Sequence, residues 1–171
     1  IVRDHDNYTS YNVQAFANLM NAWFDQVSLG VSYGAFEKEI QGDANRIVEA
    51  MSEGYNFGAT FGLDKKNIFV KDLNFGNYFS FGYGENKVID TSRVHCRNWY
   101  ACDTAKKNVG ELSSMGLPKL RTVQAYDFNN LLNLDYQLLK KQFVYWNTLF
   151  RYHKETPEDD VGSKMVGFNT A

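Results

Sequence analysis

Residues 54–84 open with Gly54-Tyr55-Asn56-Phe57-Gly58-Ala59-Thr60-Phe61-Gly62 and close with Asn74-Phe75-Gly76-Asn77-Tyr78-Phe79-Ser80-Phe81-Gly82-Tyr83-Gly84. Aromatic rings alternate with glycine or small polar residues throughout. Aromatic and β-branched side chains suit a pleated, half-buried surface, so the alternation predicts strands. The segment also echoes itself, since Asn56-Phe57-Gly58 returns 18 residues on as Asn74-Phe75-Gly76, and the polar Asp64-Lys65-Lys66-Asn67 returns as the polar Glu85-Asn86-Lys87. Two copies of strand, turn, strand predict a four-stranded antiparallel β-meander over about 56–91.

Outward from this segment the apolar spacing changes. Val13, Phe16, Met20, Trp23, Phe24 and Val27 recur at helical intervals and predict a helix over about 12–27. Phe36, Ile40, Ala44, Ile47, Val48 and Met51 predict a second, either broken or continuous at Gly42-Asp43 and closed by Gly54. Beyond the meander, Asp103 caps a short helix carrying Val109, Leu112 and Met115, ended by Gly116-Leu117-Pro118. Residues 123–153 form the longest periodic stretch, with Phe128, Leu131, Leu132, Leu138, Leu139, Phe143, Trp146, Leu149 and Phe150 on a broad apolar face. The expected architecture is α+β: N-terminal helices, the meander, and a C-terminal helical hairpin packed on one sheet face. A chain of 171 residues fits a single domain over 1–171, with a flexible lead-in at 1–10 and a mobile tail at 158–171.

Composition narrows the function. The chain is 44% hydrophobic and 22% charged, as globular proteins are, but 16% aromatic, which is high. A net charge of −2 with mixed signs supplies no basic stripe for nucleic acid. No apolar run reaches the ~20 residues of a membrane helix, so membrane contact is expected only through a segment outside this chain. Cys96 and Cys102 would stand about 9 Å apart along a helix axis, too far for a bridge that needs Cα atoms within ~7 Å. The intervening Arg97-Asn98-Trp99-Tyr100-Ala101 reads instead as a loop closed by a disulfide, which implies an oxidising compartment.

No catalytic set emerges. His5, His95 and His153 accompany no nucleophile motif, and Cys96 beside His95 is unreactive once bridged. Zinc would need a fourth ligand beyond His95, Cys96 and Cys102, and Thr9 and Ala15 stand where a calcium loop opened by Asp4 and Asp6 requires Gly and Glu. Phosphate-loop and dinucleotide patterns are missing. Neither a metal nor a cofactor is expected.

Recognition remains. Trp and Tyr dominate binding hot spots, and Tyr keeps its hydroxyl at a wet edge. Tyr55, Tyr78 and Tyr83 of the meander, with Trp99 and Tyr100 on the disulfide-stiffened loop, are the candidate binding residues. They point to a non-catalytic extracytoplasmic module, a sensory ectodomain or a self-assembling appendage subunit, that binds a protein partner or its own copies. The alternative is a small extracellular hydrolase or carbohydrate-binding protein that stacks a glycan on the aromatic meander.

Overall fold

The computed structural model describes residues 7–21, 23–41, 46–96, 102–106, 109–112 and 118–160. Every regular element among them is a strand. β1 (Tyr8–Met20), β2 (Gln26–Glu39), β3 (Met51–Lys65), β4 (Leu73–Asp90), β7 (Lys119–Leu139) and β8 (Gln142–Asp159) form one antiparallel sheet in the order β1-β2-β3-β4-β7-β8. β5 (Val94–Cys96) and β6 (Cys102–Thr104) pair separately as a two-stranded ladder.

The α+β expectation is therefore wrong: the protein is all-β. The predicted helix at 12–27 is most of β1, a turn and the start of β2, and the predicted helical hairpin at 123–153 is β7 and β8. Helical spacing arose because a few large apolar residues sit on both sheet faces. Phe16 and Met20 stand on the opposite face from Val13 and Leu19, and merging the two faces imitates a period of 3.6. The second predicted helix is replaced by the end of β2, a connection and the start of β3, and Gly42-Asp43 lies outside the described residues. Of the short helix predicted after Asp103, residues 102–104 are strand β6, and Met115 lies outside the described residues.

The meander is also corrected. Its two echoes are the arms of one long hairpin, β3 and β4, paired from Met51↔Ile89 to Lys65↔Phe75. Glu85-Asn86-Lys87 makes no turn, because Glu85 and Lys87 continue one face while Gly84 and Asn86 continue the other. The turn that does exist contains Ile68-Phe69-Val70. Asn67, Phe69 and Asp72 there have φ of 54°, 64° and 63°, a left-handed conformation that a ring as large as Phe69 adopts only under strain.

Up-and-down connectivity sorts the connections by length. The links at 21–25, 66–72 and 140–141 lie at one end of the sheet, and those at 40–50 and 91–118 lie at the other. The short end is tied across hairpins by Asp25, which accepts hydrogen bonds from Lys66 N (2.6 Å) and Lys65 Nζ (3.4 Å). These contacts hold the Asp25 carboxyl below its ordinary value; the Lys66 N–H is the main cause, with the Lys65 charge helping against partial desolvation.

Buried residues concentrate in the long connections. Ile47, Ala50, Asp90, Ser92, Cys96, Glu111 and Pro118 are all nearly inaccessible. Two carboxylates organise this cap. Asp90 accepts from the N–H groups of Glu111 (2.6 Å) and Leu112 (2.8 Å). Glu111 in turn accepts from three consecutive N–H groups, Val48 (3.0 Å), Glu49 (2.8 Å) and Ala50 (3.1 Å). Burying two anions is tolerable only because their oxygens are occupied by donors. The disulfide expected between Cys96 and Cys102 is formed, with a Cα separation of 4.0 Å across β5 and β6.

Candidate functional site

The sheet is a single layer, and its two faces differ in kind. Cross-strand partners share a face, so the register assigns every side chain. One face carries a nine-residue apolar span on each of the six strands: 11–19, 27–35, 55–63, 75–83, 126–134 and 144–152. At its centre stand Val13, Ala15, Leu29, Val31, Phe57, Ala59, Phe61, Phe79, Phe81, Phe128, Leu132 and Phe150. Val13 is 64% exposed, Val31 51% and Phe150 56%. Nothing described covers them.

At the long-connection end of this band every strand presents a tyrosine: Tyr11, Tyr33, Tyr55, Tyr83, Tyr126 and Tyr152. Their rings meet across strands, Tyr11 with Tyr33 at 5.9 Å, Tyr55 with Tyr83 at 5.9 Å and Tyr83 with Tyr126 at 4.9 Å between centroids. Just beyond them the same face turns polar. Glu85 Oε2 accepts from Tyr55 Oη (3.4 Å), Tyr83 Oη (3.2 Å) and Gln124 Nε2 (3.2 Å), and Lys87 pairs with Glu53 at 3.3 Å. At the short-turn end the band includes Phe75 and Trp146 and is flanked by Tyr136 on β7 and by Trp23, 89% exposed, in the first turn. The polar amides inside the band, Asn77 and Asn130, bond each other reciprocally at 3.4 and 3.3 Å.

The opposite face is mostly small and polar, broken by the large side chains Phe16, Phe36, Tyr78, Leu131, Phe143, Tyr145 and Leu149. It carries all the glycines of β2, β3 and β4, with Asn12, Gln14, Ser28, Ser32, Asn56, Thr60, Ser80, Asp127, Asn129 and Arg151. Asn129 donates to Ser80 Oγ (3.2 Å), and His153 lies 2.7 Å from Asp127 and 3.3 Å from Glu155. Close approach favours glycine most at two positions. A Cβ on Gly54 would stand 2.7 Å from the Glu85 backbone carbonyl oxygen, and one on Gly30 would stand 2.9 Å from the Phe16 ring.

The sequence-predicted binding residues do not form one surface. Tyr55 and Tyr83 are neighbours on the apolar face, beside an open recess lined by Tyr11, Tyr33, Glu37 and Glu53. Tyr78 is on the opposite face, where it pairs with Gly62 and Leu131. Trp99 and Tyr100 lie outside the described residues. Tyr11, Tyr33, Tyr126 and Tyr152 were missed by the sequence reading. Their signal was present as period-two alternation ending in Tyr on each strand, but the helical interpretation hid it.

Among the described residues no group of three or more His, Cys, Asp or Glu side chains is placed to hold a metal ion. No protein-family model, no curated protein and no solved structure matches the chain.

Proposed function

We propose that the six long strands are a wall segment of a membrane-inserted β-barrel, with the apolar band against lipid, the glycine-rich polar face lining a watery interior, and the cap outside the bilayer. The observation that carries this reading is the six-fold repetition of a nine-residue apolar span with a tyrosine at the same end. A tilted strand needs about 9–11 residues to cross a bilayer. Tyr and Trp favour the interface, where the ring is apolar and the tip is wet. Short turns at one end and long connections at the other are the usual asymmetry of such barrels, as is apolar-out, polar-in alternation. Among the described residues no helix is long and apolar enough to cross a membrane, a fact without bearing on strands.

Strand stagger supports the same reading. From β3 to β4, and again from β7 to β8, the apolar span shifts by two residues towards the short-turn end, while across the other three pairs the spans stay level. Tilted strands in a barrel require a stagger of constant sense. The disulfide lies in the cap, on the side this reading exposes to an oxidising compartment.

A second reading keeps the extracytoplasmic interaction module but moves its binding surface from the tyrosines and tryptophan expected from the sequence to the cap. Its support is the latching of both long connections by Asp90 and Glu111, which pre-orders a surface for a protein partner.

Tryptophan quenching tests the membrane reading. The chain is folded into vesicles whose acyl chains are brominated, and the emission assigned to Trp146 by difference from Trp146→Phe is compared with that in unbrominated vesicles. Strong quenching is expected. Equal emission in both, from protein whose circular dichroism reports strand, would sink the proposal.

A further inference from the structure

The tyrosines at the long-connection end surround a gap. On β2 Ala35 stands between Tyr11 of β1 and Tyr55 of β3 in one cross-strand row, with Tyr33 two residues to one side of it and Glu37 two residues to the other. A small side chain ringed by tall aromatic ones leaves a hollow, and here it is an open recess of about 320 Å³. Ala35 is its floor and the Tyr11, Tyr33 and Tyr55 rings are its walls. The remaining side is closed by Glu37 and Glu53, which face each other across β2 and β3.

The charges beside this hollow do not balance. Like charges directly opposite each other in a sheet are destabilising, and only one of the two carboxylates is offset within the chain, Glu53 by Lys87 at 3.3 Å. Glu85, further along the rim, already accepts from Tyr55, Tyr83 and Gln124. Glu37 makes no hydrogen bond or ion pair among the described residues. A single positive charge set between Glu37 and the rings would restore the balance. A metal ion is a poor candidate, because among the described residues no three His, Cys, Asp or Glu side chains converge on one point. Aromatic faces instead attract an organic ammonium, and a quaternary one above all.

We propose that this recess holds the choline group of a phospholipid, its trimethylammonium against the three tyrosine rings and its charge beside Glu37. The proposal rests on the membrane reading above, which supplies the source of the ligand. The recess lies where the apolar band ends, at the level of the aromatic girdle, and that is the depth of lipid headgroups. Acyl chains joined to a bound headgroup would run down the band beneath it. A quaternary ammonium has no N–H to donate, so the ring faces and one carboxylate satisfy it. An anionic headgroup would meet Glu37 and Glu53 and be repelled.

The test counts lipid retained by the full chain in non-ionic detergent, by native mass measurement, with phosphatidylcholine in one arm and phosphatidylglycerol of the same acyl chains in the other. One phosphatidylcholine per chain is expected at concentrations where no phosphatidylglycerol stays bound. Ala35→Leu, which fills the floor, and Tyr33→Leu, which removes a wall, should each weaken retention about ten-fold, the order of one cation–π contact. Tyr33→Phe keeps the ring and should retain the lipid. Glu37→Gln alters only an exposed side chain, so its weaker retention is readable even where a larger change disturbs folding. Equal retention of the two lipids, or unchanged retention in Glu37→Gln and Ala35→Leu, would overturn the proposal. Free tetramethylammonium separates the sources: it is expected to displace the lipid only in large excess, and displacement at equal concentration would overturn the lipid assignment in favour of a soluble cation. Lost headgroup selectivity with Trp146 still quenched by brominated lipid rejects the choline site alone, whereas unquenched Trp146 rejects the membrane reading beneath it.

Discussion

Asp25 shows how one side chain can align two hairpins. Its carboxylate joins the first turn to the second through Lys66 N and Lys65, and its pKa lies below the ordinary carboxylate value. A group depressed in the folded state contributes stability that is fully present above its unfolded pKa and is lost as pH falls through the lower folded value. Hydrogen exchange at the Lys66 amide should therefore be slow at neutral pH and accelerate beyond its intrinsic trend only under acid conditions, below about pH 4. Asp25→Asn should exchange faster at neutral pH and lose that extra acid dependence. Identical pH profiles for the two proteins would show that the contact does not hold the turns.

At the scale of elements, the sheet and the cap obey different rules. The sheet is held by its ladders and by ring contacts such as Phe79 with Phe128 at 4.7 Å and Phe128 with Phe150 at 5.8 Å. The cap is held by buried carboxylates on backbone donors. Hydrogen bonds to a charged acceptor are worth about 1.5–3 kcal/mol each, and a buried donor left unpaired costs about 1–3 kcal/mol. Glu111→Gln replaces one accepting oxygen with an NH2 group and orphans at least one of the Val48, Glu49 and Ala50 amides. Exchange at these amides should accelerate by roughly 10- to 100-fold, equivalent to about 1–3 kcal/mol, while amides in the centre of β3 stay protected. Uniform acceleration throughout the sheet would show instead that cap and sheet open as one unit.

At the scale of the whole molecule the exposed apolar side chains of one face bear on the interpretation: Val13 is 64% exposed, Leu19 56%, Trp146 66% and Phe150 56%. Soluble monomers rarely leave contiguous apolar patches larger than a few hundred Å². Val31 and Ser32 are adjacent residues on opposite faces, so they separate the two environments at the same depth. Val31→Arg should cost about 2–4 kcal/mol in vesicle folding, the range for a cation on a lipid-facing strand near the bilayer centre. Ser32→Arg should cost much less, because it points to the polar face opposite Gly58. Equal costs would remove the distinction between the faces and with it the lipid assignment.

Several features were legible in the chain itself. The aromatic-glycine alternation of 54–84 identified strands, because period two survives wherever one face is apolar and the other small. The spacing of Cys96 and Cys102 pointed to the disulfide, because a helix would have kept the sulfurs apart. Outside that segment Phe16, Leu131, Phe143 and Leu149 place apolar bulk on the otherwise polar face, and a one-dimensional reading merged the two faces into helices. Only the tertiary structure could separate them. A side chain's face is defined by its partner on the next strand, so the alignment of six tyrosines at one end of six spans exists only once the registers are set.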